Sequence, residues 1–303
     1  MDVVSSALDF ILPFEKYKIT AGAKVSFTNT RNGINYDTSD PTLVQDDYFR
    51  YKEQIYALYA DYSREYSERF SMQLGLRMEH TRTTGISEAK DTEDKHDYTR
   101  LFPTVYLLYS PTDGHALNFS FSNRISRPSQ NMVNPFPFYQ NKYTYACGRE
   151  DLKPSYTYNA ELGYTLKNNF NVSAYYSYSD DVFFQVVDLD AETNVTSFLW
   201  ENFMQTHAFG LNNSYTFRTK WLQTYAQHGV SYRRTTSSAA TTSPEEKGWA
   251  YNASLRNTFF FNEKKTLLAT LSGSYSSRQY QGIYLMSPTY SVSAGMLYRL
   301  LNN

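Results

Sequence analysis

The stretch from Ser155 to Leu166, SYTYNAELGYTL, obeys a period of two without exception. Tyr156, Tyr158, Ala160, Leu162, Tyr164 and Leu166 fall on one parity, and Ser155, Thr157, Asn159, Glu161, Gly163 and Thr165 on the other. Successive side chains of a strand point to opposite faces, so this stretch makes a ribbon with one apolar and one polar side. The pattern returns in FNVSAYYSYS, in KITAGAKVSF (apolar Ile19, Ala21, Ala23, Val25, Phe27) and in FSMQLGLRME (apolar Phe70, Met72, Leu74, Leu76, Met78). No segment sustains a helical period, so the chain reads as all-β. About thirteen runs are expected as strands, near 2–11, 17–29, 48–63, 69–84, 98–110, 115–126, 155–167, 170–187, 195–217, 222–236, 249–262, 265–278 and 289–300. Many exceed ten residues, whereas strands of soluble domains usually hold about 5–6.

The connections alternate in length. Pro13–Lys16, Arg64–Glu68, Pro111–Gly114, Lys167–Asn169, Thr219–Trp221 and Asn262–Lys264 are short; the others span about 30–47, 85–97, 127–154, 188–194, 237–248 and 279–288. Long dyad-repeat strands with short turns at one end and long loops at the other describe an antiparallel transmembrane β-barrel. Its strands cross the bilayer in about 9–11 residues, its turns face the periplasm and its loops face outside. Arg77, Glu79 and Glu161, with Lys24, lie on the polar parity. A charge on the lipid face near the midplane costs about 2–4 kcal/mol, so these residues are expected in the lumen, with Arg77 and Glu79 as a structural ion pair. A polar lumen also reconciles a mean hydropathy of -0.58 with a membrane protein. A large soluble antiparallel sheet or carbohydrate-binding sandwich shares Tyr-rich alternation and stays open at this point; no blade-length repeat supports a propeller.

Composition narrows the partners. The 29 Lys and Arg nearly balance 30 Asp and Glu, without the basic excess of a nucleic-acid binder. The 29 tyrosines suit half-buried strands and membrane interfaces. Cys147 is the single cysteine, which excludes an intramolecular disulfide and a cysteine zinc cluster. No apolar run is long enough for a transmembrane helix. The five histidines show no ligand spacing and read as solvent or lumen residues. Asp180-Asp181 and the acidic stretch 88–97 read as solvated charged loops rather than cation sites. Trp221, Trp249, Tyr98 and Phe102 read as an interface girdle. No nucleophile–base set, phosphate loop or metal motif appears; no catalytic residue, metal or cofactor is expected, and the chain does not read as an enzyme.

Residues 124–154, RISRPSQNMVNPFPFYQNKYTYACGREDLKP, look like nothing regular and carry four prolines. With its flanks this stretch resembles the outer-membrane β-barrel family of TonB-dependent receptors, in the Bacteroidetes style. The matching residues are Arg127-Pro128, Asn134-Pro135-Phe136, Tyr145 and Gly148, Leu152-Lys153-Pro154 and Glu161-Leu162-Gly163-Tyr164. Gly75-Leu76-Arg77 with Glu79, and Glu201-Asn202 followed by Gly210, extend the likeness along the chain. Departures stand at Gly148-Arg149-Glu150, where the family usually has Gly-Asn-Pro, and at Ser155, where a Glu is common. The resemblance implies a receptor in the outer membrane, coupled to the TonB complex, that takes up a scarce siderophore, cobalamin or glycan. A non-transporting adhesin or structural barrel and a passive porin remain alternatives. Residues 124–154 are expected as an outward-facing loop. Arg127, Pro128, Asn134, Pro135, Phe136, Gly148, Leu152 and Pro154 would set its architecture, and Gln140, Asn141 and Lys142 would touch substrate. MDVVSSALDFILPFEK lacks a basic leader, and about thirteen strands fall short of the roughly 22 of a plugged transporter. The whole of 1–303 is therefore expected to be a barrel piece without plug or final strands.

Overall fold

The structure, a computed structural model, describes residues 1–34, 47–88 and 91–300; the loop expected near 30–47 lies largely outside them. Its elements are β1 (Asp2–Pro13), β2 (Tyr17–Ile34), β3 (Asp47–Ser67), β4 (Phe70–Ser87), β5 (Thr92–Tyr109), β6 (His115–Ser126), α1 (Gln130–Val133), β7 (Phe138–Asn141) and β8 (Thr144–Cys147). There follow β9 (Ser155–Leu166), β10 (Phe170–Asp190), β11 (Val195–Arg218), β12 (Leu222–Ser237), β13 (Glu245–Phe260), β14 (Leu267–Ser276), β15 (Gln279–Gln281), β16 (Tyr284–Met286) and β17 (Thr289–Tyr298). Thirteen long strands pair in chain order, β1-β2-β3-β4-β5-β6-β9-β10-β11-β12-β13-β14-β17, each antiparallel to the next. Among the described residues β17 does not pair with β1, so the sheet is open.

Register sorts the side chains. Lys24, Ala57, Glu79 and Arg100 stand opposite one another across β2–β5. One residue along, Ala23, Leu58, Met78 and Leu101 form the row on the other face. Glu79 and Ala57 are buried, whereas Leu58 and Leu101 are 56% and 55% exposed. Exposed leucines on one face with a buried carboxylate on the other are what lipid outside and a polar interior require. Aromatic residues ring the outward face at two heights. Phe209, Tyr232 and Trp249 cluster at 5.2–5.7 Å toward the long-loop end, while Phe14, Tyr17 and Tyr62 stack toward the short-turn end. Trp221, beside the Thr219 turn, is exposed at that end. Tyr98 and Phe102 correct the girdle reading: they share the inward parity of Glu79 and Arg77, and Phe102 is buried.

Several outer connections are shorter than in the sequence reading. The strands run on past the bilayer, so β4 continues to Ser87 and β5 begins at Thr92. Most of the acidic stretch 88–97 is therefore strand, with ion pairs Lys95–Glu93 and Arg82–Asp97 at 3.0 and 2.9 Å; residues 89–90 lie outside the described ones. Asp180-Asp181 is likewise no loop but a β-bulge within β10, with Asp181 at φ 51°. His80, His115 and His207 sit on the outward face beside Thr99, Tyr164 and Tyr176, hydrogen-bonded at 2.7–2.9 Å, rather than in the lumen.

Candidate functional site: an interior chamber closed by a strap

The wall joint between β5 and β6 is incomplete. β5 pairs with β6 only from Thr104↔Ser122 to Tyr109↔Leu117. The next rung would place Pro103 opposite Asn123, and proline has no N–H to give to the ladder. Pro103 leaves the ladder to β4 intact, where it pairs with Leu76. Asn123 substitutes a side-chain bond, its Nδ2 donating to the Leu101 carbonyl at 3.4 Å. Above this point β5 stands apart from β6, and a seam opens in the outer part of the wall. Pro103 within the run 98–110 was the sequence signal for it.

Residues 127–154 do not project outward as a loop. The chain turns inward after Ser126 and crosses the interior as a folded strap. At one end Arg127 passes over the inner face of β5 and its Nη2 meets Glu79 Oε2 at 2.5 Å. The same nitrogen donates to Thr81 Oγ1 at 3.1 Å, Nε donates to the Tyr98 hydroxyl at 3.3 Å, and Glu53 lies at 3.8 Å. Arg77 Nε takes the other Glu79 oxygen at 2.5 Å. The expected Arg77–Glu79 lumen pair is thus part of a larger network whose centre, Glu79, serves two guanidinium groups. Glu161 lies on the same inward face of β9, opposite Ser120 and Tyr175, and is exposed to the interior.

The middle of the strap has its own fold. α1 is a single turn; Asn134 Oδ1 accepts the Phe136 N–H at 3.1 Å, and the Asn134 carbonyl accepts the Gly148 N–H at 2.8 Å. A Cβ at Gly148 would collide with the Asn134 and Met132 carbonyls, so only glycine allows the two strap segments to close on each other. Phe136 and Pro135 are buried beside this contact. β8 adds in parallel to the outer part of β11, Thr144–Cys147 against Thr196–Leu199, beyond the point where β12 ends on Met204. The return segment is tied by Arg149 Nη1 to Glu201 at 2.7 Å and by Lys153 N–H to Asn202 Oδ1 at 2.8 Å. Val133 and Leu152 bury against Phe49, with Tyr51, Phe183 and Trp200 around them. The strap therefore runs as a chord from β4 to β11, anchored by charge at one end and by strand pairing at the other. Gln140, Asn141 and Lys142 form the exposed tip of the β7–β8 hairpin.

Between the chord and the arc of wall it spans lies a chamber of about 350 Å³. Arg127, Pro128, Leu152 and Pro154 line it from the strap, Tyr98 and Arg100 from β5, Tyr156 from β9 and Asp181 from β10. Arg100 rests on the Tyr156 ring, its guanidinium carbon 4.7 Å from the centroid. Among the described residues no group of His, Cys, Asp and Glu could hold a metal ion.

A wall polar within and apolar without, ringed by aromatic belts and crossed inside by a folded segment, defines an outer-membrane β-barrel protein. The chain belongs to the outer membrane protein beta-barrel family, whose model matches residues 1–303, and its place is the cell outer membrane. The solved structures it resembles include the copper transporter OprC, with a TM-score of 0.72 at 12% identity, covering 99% of this chain and 49% of that one. The siderophore receptor PiuA of Acinetobacter baumannii gives 0.64 at 14% identity, over 99% and 50%. The FrpB iron transporter of Neisseria meningitidis gives 0.63 at 13%, over 98% and 48%. At these identities the likeness is one of fold, and the chain spans about half the length of the structures it matches. No curated protein matches the sequence.

Proposed function

We propose that the chain forms wall and strap of a receptor barrel for energised uptake of a scarce small solute, driven by the TonB complex. The observation that carries this reading is the interior itself: a polar wall whose outer mouth is crossed by a strap and holds a ligand-sized chamber. The family, and neighbours named as copper and iron transporters and as a siderophore receptor, support it. Siderophores, cobalamin and glycans are the solute classes in view. The tip residues Gln140, Asn141 and Lys142 are proposed as first contacts, and the lumen charges Arg77, Glu79 and Glu161 as the polar lining below.

The open edges support a larger barrel. Thirteen alternating strands make β1 and β17 run the same way. A fully antiparallel closure therefore needs an odd number of further strands between them, and residues 1–303 are proposed as one part of such a wall. Two measurements test the function. Cells expressing the protein should accumulate a labelled solute of one of these classes, and a protonophore should abolish the accumulation. Planar bilayers containing the protein should show no steady porin-like conductance. Uptake that survives the protonophore, together with large ohmic conductance, would establish a passive porin instead; surface binding without uptake would establish a non-transporting barrel.

A further inference from the structure

We propose that the chamber between strap and wall is a binding site for a zwitterionic solute of amino-acid or short-peptide type, with Arg100 taking its carboxylate and Asp181 its ammonium. The inference rests on the uptake reading and gives that reading a site and a ligand chemistry. Four observations converge on it. The chamber's volume, about 350 Å³, falls in the range of small-ligand pockets. Arg100 and Asp181 line it from strands on the two sides of the seam, and the Arg100 guanidinium is hydrogen-bonded to the Tyr156 side chain. Yet among the described residues neither makes an ion pair. Of the other charges lining it, Arg127 pairs with Glu79, Asp94 with His96, Lys95 with Glu93 and Asp97 with Arg82, while Glu150 accepts the Thr92 hydroxyl and the Lys153 ammonium makes no ion pair among the described residues.

Asp181 is also the residue that the wall distorts to place. It occupies the bulge that shifts register between Ser179 and Val182, at φ 51°. Bulges re-aim side chains next to functional sites. The Tyr156 ring beneath Arg100 and the Tyr98 ring add aromatic faces to the chamber lining. A neutral glycan would bring neither Arg100 nor Asp181 a counter-charge, whereas a ligand carrying both charges gives one to each without adding net charge. Peptide-based chelators are one form such a solute takes.

The test is equilibrium binding to the full chain in detergent, read by calorimetry. The probes are alanyl-tyrosine, its N-acetyl derivative, its C-terminal amide, and maltotriose. The dipeptide should bind, and each capped form should bind at least about tenfold more weakly, the loss typical of one charge-assisted hydrogen bond. Arg100→Gln should reproduce the loss caused by amidation and leave the amide's own affinity unchanged. Asp181→Asn should do the same for acetylation. Arg100→Lys keeps the charge and should retain most of the affinity, which separates a binding role from a folding defect. Binding of maltotriose with no response to either variant would overturn the proposal, as would failure of the dipeptide to bind at millimolar concentration. Protonophore-sensitive uptake that persists unchanged in Arg100→Gln would leave the receptor reading standing and remove only this site.

Discussion

At Arg127 one side chain holds a whole segment to the wall. Its guanidinium and that of Arg77 share the buried Glu79 carboxylate, and Glu53 lies within reach. Replacing Arg127 by Met leaves the buried Glu79 with one guanidinium and the half-buried Glu53 with none; a broken buried pair costs about 3–5 kcal/mol, to be read as a lowered urea midpoint of the refolded protein. Lysine there should recover only part, because a point charge cannot reach Glu79, Thr81 and Tyr98 together. Gly148→Ala should speed amide exchange across 128–152 while sparing the outer wall, since its Cβ strikes the strap backbone at Met132 and Asn134. At the tip of β10 the Thr193 hydroxyl, then the Glu192 and Thr193 amides, hold the Asp190 carboxyl below the usual carboxylate range. That depressed value means the turn is fully supported above the unfolded-state pKa and loses support as pH falls through the folded-state one. The Thr193 amide shift should follow that titration. The pairing of Arg77 with Glu79 was legible because both share a parity two residues apart. Arg127 was not, because it sits 48 residues away from Glu79 and reaches it only through the strap's fold.

At the scale of the strand, the run boundaries read from alternation agree with the thirteen wall strands to within a few residues at most ends, because a dyad repeat is a local property. The misses at the outer strand ends share one cause: loops were expected near 85–97 and 188–194, yet β4 runs to Ser87, β5 starts at Thr92 and β10 runs to Asp190, where the two faces no longer divide into lipid and lumen. Pro103 marks the opposite case, a residue inside good alternation that breaks pairing on one side only. Pro103→Val restores an N–H opposite Asn123, so the β5–β6 ladder should gain a rung. Slowed exchange at position 103 and a gain of up to about 1 kcal/mol are expected; exchange at solvent rate would show that the seam has another origin.

For the whole molecule the decisive assignment is which face meets lipid. Leu76 lies on the exposed face and Ser120 on the interior one. Leu76→Arg should cost about 2–4 kcal/mol in the lipid-refolded protein and Ser120→Arg close to nothing; equal costs would reverse or erase the inside–outside assignment. The sequence by itself determined the strands, their order, the two faces and the membrane they cross, because a period of two is written residue by residue and sequential hairpins leave one pairing order. It also held, as a motif, several residues that hold the strap together: Arg127, Asn134, Gly148 and Leu152. Only the tertiary structure decided that Asn134, Gly148 and Leu152 fold that strap inward rather than out. Only there do Tyr98 and Phe102 turn to the interior, and only there do Arg100 and Asp181, distant along the chain, come to face one chamber. Those outcomes depend on contacts between separated segments, whose geometry no local periodicity records.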